Sequence, residues 1–340
     1  MILLKISIMF CLTAILIIFL KKKLFLTNFT GEKHQLLTNT KNVPLIGGVI
    51  VFISFILDFN SSALNFYIFS FLILLIGVVS DLKKINSPEL RFLIQTAIII
   101  IFISIKEIQI NPIRVNLIDS QLSNLYFNIL FTTFCVLVIV NGTNFIDGVN
   151  TSAIGYYLII SLIIKYLIIN EYNINLYFNL DYLILVLLLL YCFNLFNKVY
   201  LGDNGAYILG IVFSLALINL YNSNIDISPF YIVLLLWYPA FENLFSIFRK
   251  IYLKSLPTNS DTLHLHQLIF RFLYKFLPKK MNRISNSLTG NLINFYNLII
   301  MCVATMDINS SKYQIFLIIF NIMIYILLYK KLNEKLIKLF

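Results

Sequence analysis

The chain has 340 residues, 60% of them hydrophobic and only 12% charged, with a mean hydropathy of +0.89 and a net charge of +11. Soluble domains are about 45–50% apolar and about 25% charged, so a soluble enzyme or binding module is excluded. An all-α, polytopic integral membrane protein is expected. Cys11, Cys135, Cys192 and Cys302 stand alone in apolar segments, without metal-ligand or framework spacing, so they read as packing residues and imply no disulfide.

Residues 2–20 are apolar and are followed by Lys21-Lys22-Lys23. A signal peptide carries its charge before the apolar core, so a retained first helix is expected. Further apolar stretches of span character follow at 43–58, 64–80, 90–106, 125–140, 151–169, 180–196, 205–221, 228–247, 290–306 and 314–330, about eleven transmembrane helices in all. The stretch at 43–58 is short and carries Gly47-Gly48, and the one at 290–306 is diluted by Asn291, Asn294 and Asn297. The whole chain, 1–340, reads as one transmembrane domain with its largest loop at 248–289.

With this alternation, segments 21–42, 81–89, 141–150, 197–204, 248–289 and 331–340 share one side and carry most of the Lys and Arg. Lys5, Lys106, Arg114 and Lys312 stay on the other side and Lys165 within a span. The positive-inside rule makes the first set cytoplasmic and places the N-terminus outside.

Three polar islands end apolar stretches on the predicted cytoplasmic side: Ser80-Asp81-Leu82-Lys83-Lys84, Asn141 to Asn150, and Leu201-Gly202-Asp203-Asn204-Gly205. Each contributes one carboxylate beside hydrocarbon, where ionisable groups mark function by default. Asp81, Asp147 and Asp203 near lysines suit a magnesium–diphosphate substrate, since Mg2+ takes one or two carboxylates plus phosphates and water. The plainer reading is helix capping by Asp and Asn. The loop at 248–289 holds His264, His266 and many basic residues, and 262–277 reads as an amphipathic interfacial helix. Its charge alone suits anionic lipid headgroups rather than nucleic acid. Two histidines without a third ligand are a weak zinc signal, and neither H-E-x-x-H nor a G-x-x-x-x-G-K-[ST] loop occurs. The far-side loops carry no comparable constellation, which argues against a transport pathway.

Taken in order, these segments resemble the polyprenyl-phosphate N-acetylhexosamine-1-phosphate transferases (glycosyltransferase family 4) from about residue 33 to 270. Pro44-Leu-Ile-Gly47-Gly48 is similar to the family's P-x-x-G-G segment, with Lys33 and His34 upstream. Gly77-Val-Val-Ser80-Asp81, with Leu90-Arg91 and Gln95, resembles its Asp-Asp motif. Asn141 to Asn150 resembles N-x-x-N-x-x-D-G-x-D, and Phe193-Asn194 through Val199-Tyr-Leu-Gly202-Asp203-Asn-Gly205 its F-N and G-D-x-G motif. Pro239, Glu242, Arg249 and Asp261-Thr-Leu-His264-Leu-His266-Gln267 resemble the final loop with its H-x-H-H motif. Three positions depart from the pattern: Ser80 and Asn150 stand where the family has Asp, and Gln267 where it has His. The missing first Asp is a candidate base, but a lipid phosphomonoester with a second pKa of about 6 is already mostly ionised at cytoplasmic pH.

The resemblance implies transfer of a sugar-1-phosphate from a UDP-N-acetylhexosamine to undecaprenyl phosphate with release of UMP. This is a first membrane step of cell-wall, lipopolysaccharide or O-antigen synthesis in the bacterial inner (plasma) membrane. It implies Mg2+, with Mn2+ as an alternative, on Asp203 and Asp147. Asp81 and Asp147 would be catalytic. Asn141, Asn144, Asn194, Gly202, Arg249, His264, His266 and Lys33 would bind substrate. The other expectations are the phospho-MurNAc-pentapeptide transferase that makes lipid I, a catalytically weakened homologue, and a membrane transporter; a homodimer is left open.

Overall fold

The computed structural model of the chain describes residues 2–28, 42–85, 87–252, 254, 263–278 and 284–337. The protein is an all-helical polytopic membrane protein, and among the described residues two isolated backbone bridges stand in place of any strand. Its helices are α1 (Ile2–Lys23), α2 (Gly47–Leu57), α3 (Leu64–Asp81), α4 (Pro88–Ile105), α5 (Asn116–Leu122), α6 (Leu125–Ile146) and α7 (Ser152–Ile169). They continue with α8 (Leu180–Leu195), α9 (Gly202–Ser223), α10 (Pro229–Leu235), α11 (Trp237–Tyr252), α12 (Leu265–Phe276), α13 (Ser285–Ala304) and α14 (Ser311–Ile337).

Every expected span has a helix at its position. Among the described residues, eight helices are long and apolar enough to cross a membrane, and the bent pair α10–α11 would make a ninth. The 11-residue α2 and the 16-residue α8 are shorter. At ~1.5 Å per residue α2 reaches only about half of a ~30 Å hydrocarbon core. The expected continuous helix at 228–247 is broken by 76° at Leu236. Pro239 lies at the third position of α11; its ring excludes the carbonyl four residues back, that of Leu235, and it brings no N–H. The Tyr156 hydroxyl donates to that Leu235 carbonyl at 2.8 Å, so the break leaves no orphan there.

The centre of the bundle is α9, buried along almost its whole length between α3, α6 and α2. On its other side α6 packs against α11, while α7 packs between α8 and α13, and α12 lies against α13 and α14. The polar ends sort into two groups. At one end the Arg114 guanidinium donates to the carbonyls of Ile225, Asp226, Ile227 and Asn309, and Asn173 and Asn224 exchange side chain–backbone bonds. The loops expected outside thus meet one another. At the opposite end the three islands and the His264 segment meet. Expected Lys33, with His34 and Asp261, lies outside the described residues.

Candidate active site

The site starts where α3 ends and α9 begins. Leu201, the N-cap of α9, has no side chain able to cap the helix, so the first N–H groups need an outside acceptor. Asp81 supplies it from α3. Its Oδ1 accepts the Asp203 N–H at 2.9 Å, and its Oδ2 accepts the Asn204 N–H at 3.1 Å and the Asn204 amide at 2.5 Å. A carboxylate is favoured there by the helix dipole as well as by the bonds. The entry turn needs Gly202 at φ +73°, a left-handed conformation that is strained for any residue with a Cβ.

Asn204 is the hub of this junction and is fully buried. Its Oδ1 accepts the Gly48 N–H at 2.9 Å and its Nδ2 donates to the Leu45 carbonyl at 2.8 Å. Tyr200 and Pro44 add a backbone bond at 2.9 Å. The Pro44–Gly48 segment is thereby fastened onto the third island.

Asp203 meets different partners. Its Oδ1 accepts the Asn144 amide at 2.6 Å, joining the second island to the third. Its Oδ2 pairs with the Arg91 guanidinium at 3.0 Å and accepts the Ser80 hydroxyl, which itself accepts from Arg91 at 2.5 Å. A second Asp at position 80 would place another carboxylate against Asp203; Ser80 instead relays the Arg91 charge. Arg91 was not among the expected site residues. Its signal was present: an arginine in the first turn of an apolar helix that opens directly after an island.

Asp147 follows the last turn of α6. Its carboxyl is held well above the ordinary carboxylate range, first by burial and then by the charges of Asp203 and Asp81, partly offset by the Gly202 N–H. The three carboxylates therefore feel one another. Among the described residues, however, no three His, Cys, Asp or Glu side chains come together closely enough to hold a metal ion. Both oxygens of Asp81 are taken by α9. A divalent cation here would rest on Asp203 and Asp147 with substrate phosphates and water completing its shell, which is the donor set Mg2+ prefers.

The histidine segment arrives from the other side. A Cβ on Gly148 would overlap the His266 ring at Nε2, so the Asp147-Gly148 turn lies directly against His266. His266 stacks on His264 with ring centroids 5.6 Å apart, and His264 lies 5.2 Å from Phe145. Gln267, at the position of the family's last histidine, accepts the His264 N–H at 3.3 Å and closes the start of α12.

Asn141, Arg249 and Asn194 bond to backbone groups. The Asn141 amide folds back onto the Leu137 carbonyl of its own helix at 2.9 Å. Arg249 donates to the Leu263 carbonyl at 2.7 Å, holding the backbone that leads into His264. Asn194 is 3% exposed, with Oδ1 on the Thr151 N–H and Nδ2 on the Val199 carbonyl, so its bonds go to scaffold. Asn150 is similar. Its Nδ2 donates to the Asn194 carbonyl and to Asn197 Oδ1, each at 2.8 Å, and its N–H is held by Asn286. These are donor tasks that an Asp could not perform, which accounts for the second departure from the family pattern. Thr151 beside it has φ +66°, a genuine outlier for a β-branched residue. Asn194, Asn291 and Asn294 hold its N–H, hydroxyl and carbonyl.

Fold and site together define a polytopic membrane protein with one polar end built from carboxylates, amides, histidines and an arginine. Residues 63–221 match the family model described as "Glycosyl transferase family 4". That is the family its motifs resemble, and the match spans all three islands. It is similar to the undecaprenyl-phosphate alpha-N-acetylglucosaminyl 1-phosphate transferase of Thermotoga maritima, at 27% identity over 285 residues covering 84% of this chain and 86% of the relative. It is also similar to a probable undecaprenyl-phosphate N-acetylglucosaminyl 1-phosphate transferase of Bacillus subtilis, at 24% identity over 242 residues, 68% of this chain and 67% of that one.

Proposed function

We propose that the protein transfers a sugar-1-phosphate from a UDP-N-acetylhexosamine to undecaprenyl phosphate, releasing UMP. The reaction would run on the cytoplasmic face of a bacterial plasma membrane, as a first step of envelope polysaccharide synthesis. The observation that carries this reading is the junction of Asp203 with Ser80, Arg91 and Asn144, beside Asp147 and the His266 ring. It offers a guanidinium and amide donors for phosphate oxygens, and two carboxylates for a cation, at the end of a lipid-embedded bundle. The names of the relatives point to the same acceptor and sugar.

An oxygen of the lipid phosphate attacks the sugar-linked phosphorus of the donor. The bond from that phosphorus to the bridging oxygen breaks, and UMP leaves with the electron pair. The new diphosphate bridge joins lipid to sugar. Catalysis of this kind is chiefly positioning and charge neutralisation. Arg91, held by Asp203 and Ser80, faces developing phosphate charge with a fixed guanidinium. Asn144 keeps Asp203 in place, and His266 with His264 borders the Asp147 turn where the diphosphate would lie. Magnesium bound by Asp203 and Asp147 would neutralise the diphosphate and the leaving UMP.

The test uses the full chain in detergent with undecaprenyl phosphate, magnesium and labelled UDP-N-acetylglucosamine or UDP-N-acetylgalactosamine. UMP and a lipid-linked sugar are expected in equal amounts, with a loss of ~10²-fold or more in Asp203→Asn. No UMP from any UDP-N-acetylhexosamine, and no effect of Asp203→Asn, would overturn the reading.

A further inference from the structure

Glu242 is a completely buried acid in α11, a helix that approaches the site without contributing one of its three islands. A buried carboxylate persists only when its oxygens are fully partnered. One oxygen is 2.8 Å from His264 Nδ1 and 3.4 Å from the Leu265 N–H; the other accepts the Tyr325 hydroxyl at 2.7 Å. One carboxylate thus joins α11, the start of α12 and the middle of α14. An acceptor at Nδ1 requires the proton on Nδ1, which commits the ring's orientation and leaves Nε2 for the opposite direction. From there His264 stacks on His266, and His266 abuts Gly148 beside Asp147. One turn further along α14, Tyr329 lies under the Arg249 guanidinium, 5.6 Å from ring to charge, with a hydroxyl contact at 3.4 Å.

We propose that Glu242 and Tyr325 are positioning residues that hold the His264 ring in one tautomer and one orientation against the diphosphate-binding side of the site. The final helix α14 then belongs to the active apparatus, although it lies well beyond the matched segment 63–221. A carboxylate orienting a ligand-binding imidazole through its far nitrogen is a recurrent device, and its removal typically lowers activity by roughly 10- to 100-fold. This role rests on the proposed function, since His264 acts on substrate only if that reading holds.

The experiment has an arm that needs no activity. The chain has three histidines, so uniform 15N-histidine labelling, with His34→Gln and His266→Gln for assignment, isolates the His264 signals. An Nδ1-protonated ring is expected in the wild type. Glu242→Ala should shift it toward the Nε2 tautomer of free imidazole, whereas Glu242→Gln, which keeps an acceptor oxygen, should leave it in place. In the UMP assay, Glu242→Ala and His264→Ala should each lose roughly 10- to 100-fold, and the double variant no more than His264→Ala. Tyr325→Phe, which removes only a hydroxyl, should give a smaller loss that vanishes in the Glu242→Ala background. Losses that multiply, full activity in His264→Ala, or His264 signals unmoved by Glu242→Ala would overturn the proposal. Should the wild type release no UMP, the proposed function fails, while the nitrogen signals still decide whether Glu242 holds His264.

Discussion

Asn150→Asp restores the residue the family pattern carries at that position, and the geometry requires it to be damaging here. Asn150 is 5% exposed and donates two 2.8 Å bonds, to the Asn194 carbonyl and to Asn197 Oδ1. A carboxylate has no donor, so both bonds are lost, at about 1 kcal/mol each. The two former acceptors then face a buried negative charge, which adds at least as much again. The deficit is about 4 kcal/mol at pH 8, or about 8 °C in unfolding midpoint at ~2 °C per kcal/mol for a chain of this size. The new carboxyl takes up a proton more readily in the folded state than in the unfolded one. Its penalty is therefore absent below the ordinary carboxylate pKa of ~4 and grows as pH rises toward the folded value. Thermal unfolding of detergent-purified protein, scanned at one fixed rate and followed by size-exclusion fluorescence, should show the gap from wild type widening between pH 5 and pH 8. Asn150→Ala, which removes the donor without adding charge, should fall between the two. A variant as stable as wild type at pH 8 would refute the donor role.

The raised carboxyl of Asp147 means that the folded protein binds a proton there which the unfolded chain releases more easily. That contribution to stability is full below the ordinary carboxylate pKa and is lost as pH rises through the raised value. A divalent cation competes with this proton, so magnesium should raise the unfolding midpoint more at pH 8 than at pH 6, and Asp147→Asn should flatten the difference; equal shifts at both pH values in the wild type would refute it. Gly148→Ala pushes a methyl into the His266 ring and should cost about 1–3 kcal/mol while lowering activity more than stability. A midpoint and activity equal to wild type would show that the turn and the ring are not in contact. In a cysteine-free background, exposed Lys84→Cys should be labelled only from the cytoplasmic side and exposed Ile225→Cys only from outside; the reverse would invert the topology.

A helix at each expected span and the joining of the islands were legible because apolar length and motif order are local properties of the chain, whereas the short α5 falls in a stretch read as a loop. Helix length and continuity were not legible, because they depend on where helices stop. Gly47 opens α2 only after a bridged segment, and Pro239 bends the ninth stretch at Leu236. The division of labour among the aspartates was also invisible. Asp81, Asp147 and Asp203 look equivalent as residues, yet α9 takes both oxygens of Asp81, Arg91 and Asn144 take those of Asp203, and Asp147 is set first by burial and then by the charges of the other two. Which carboxylate serves structure follows from which one meets a helix N-terminus, and only the packing of α3 on α9 decides that.

Asparagine was the residue most misjudged by composition. As a membrane span, the stretch at 290–306 is diluted by Asn291, Asn294 and Asn297. In the fold they are ties: Asn297 accepts the Trp237 indole at 2.9 Å, while Asn291 and Asn294 hold the hydroxyl and carbonyl of Thr151. Inside an apolar bundle an unpartnered amide is costly, so each asparagine selects the one helix arrangement in which its bonds are made. The ties of Asn291 and Asn294 converge on the end of the turn from Asp147 to Thr151, whose strained φ persists only because its neighbours over-determine it. The span that looked weakest as a membrane segment is therefore the seat of the Asp147 turn. The polar dilution that obscured α13 in the sequence is the means by which α13 fixes the site.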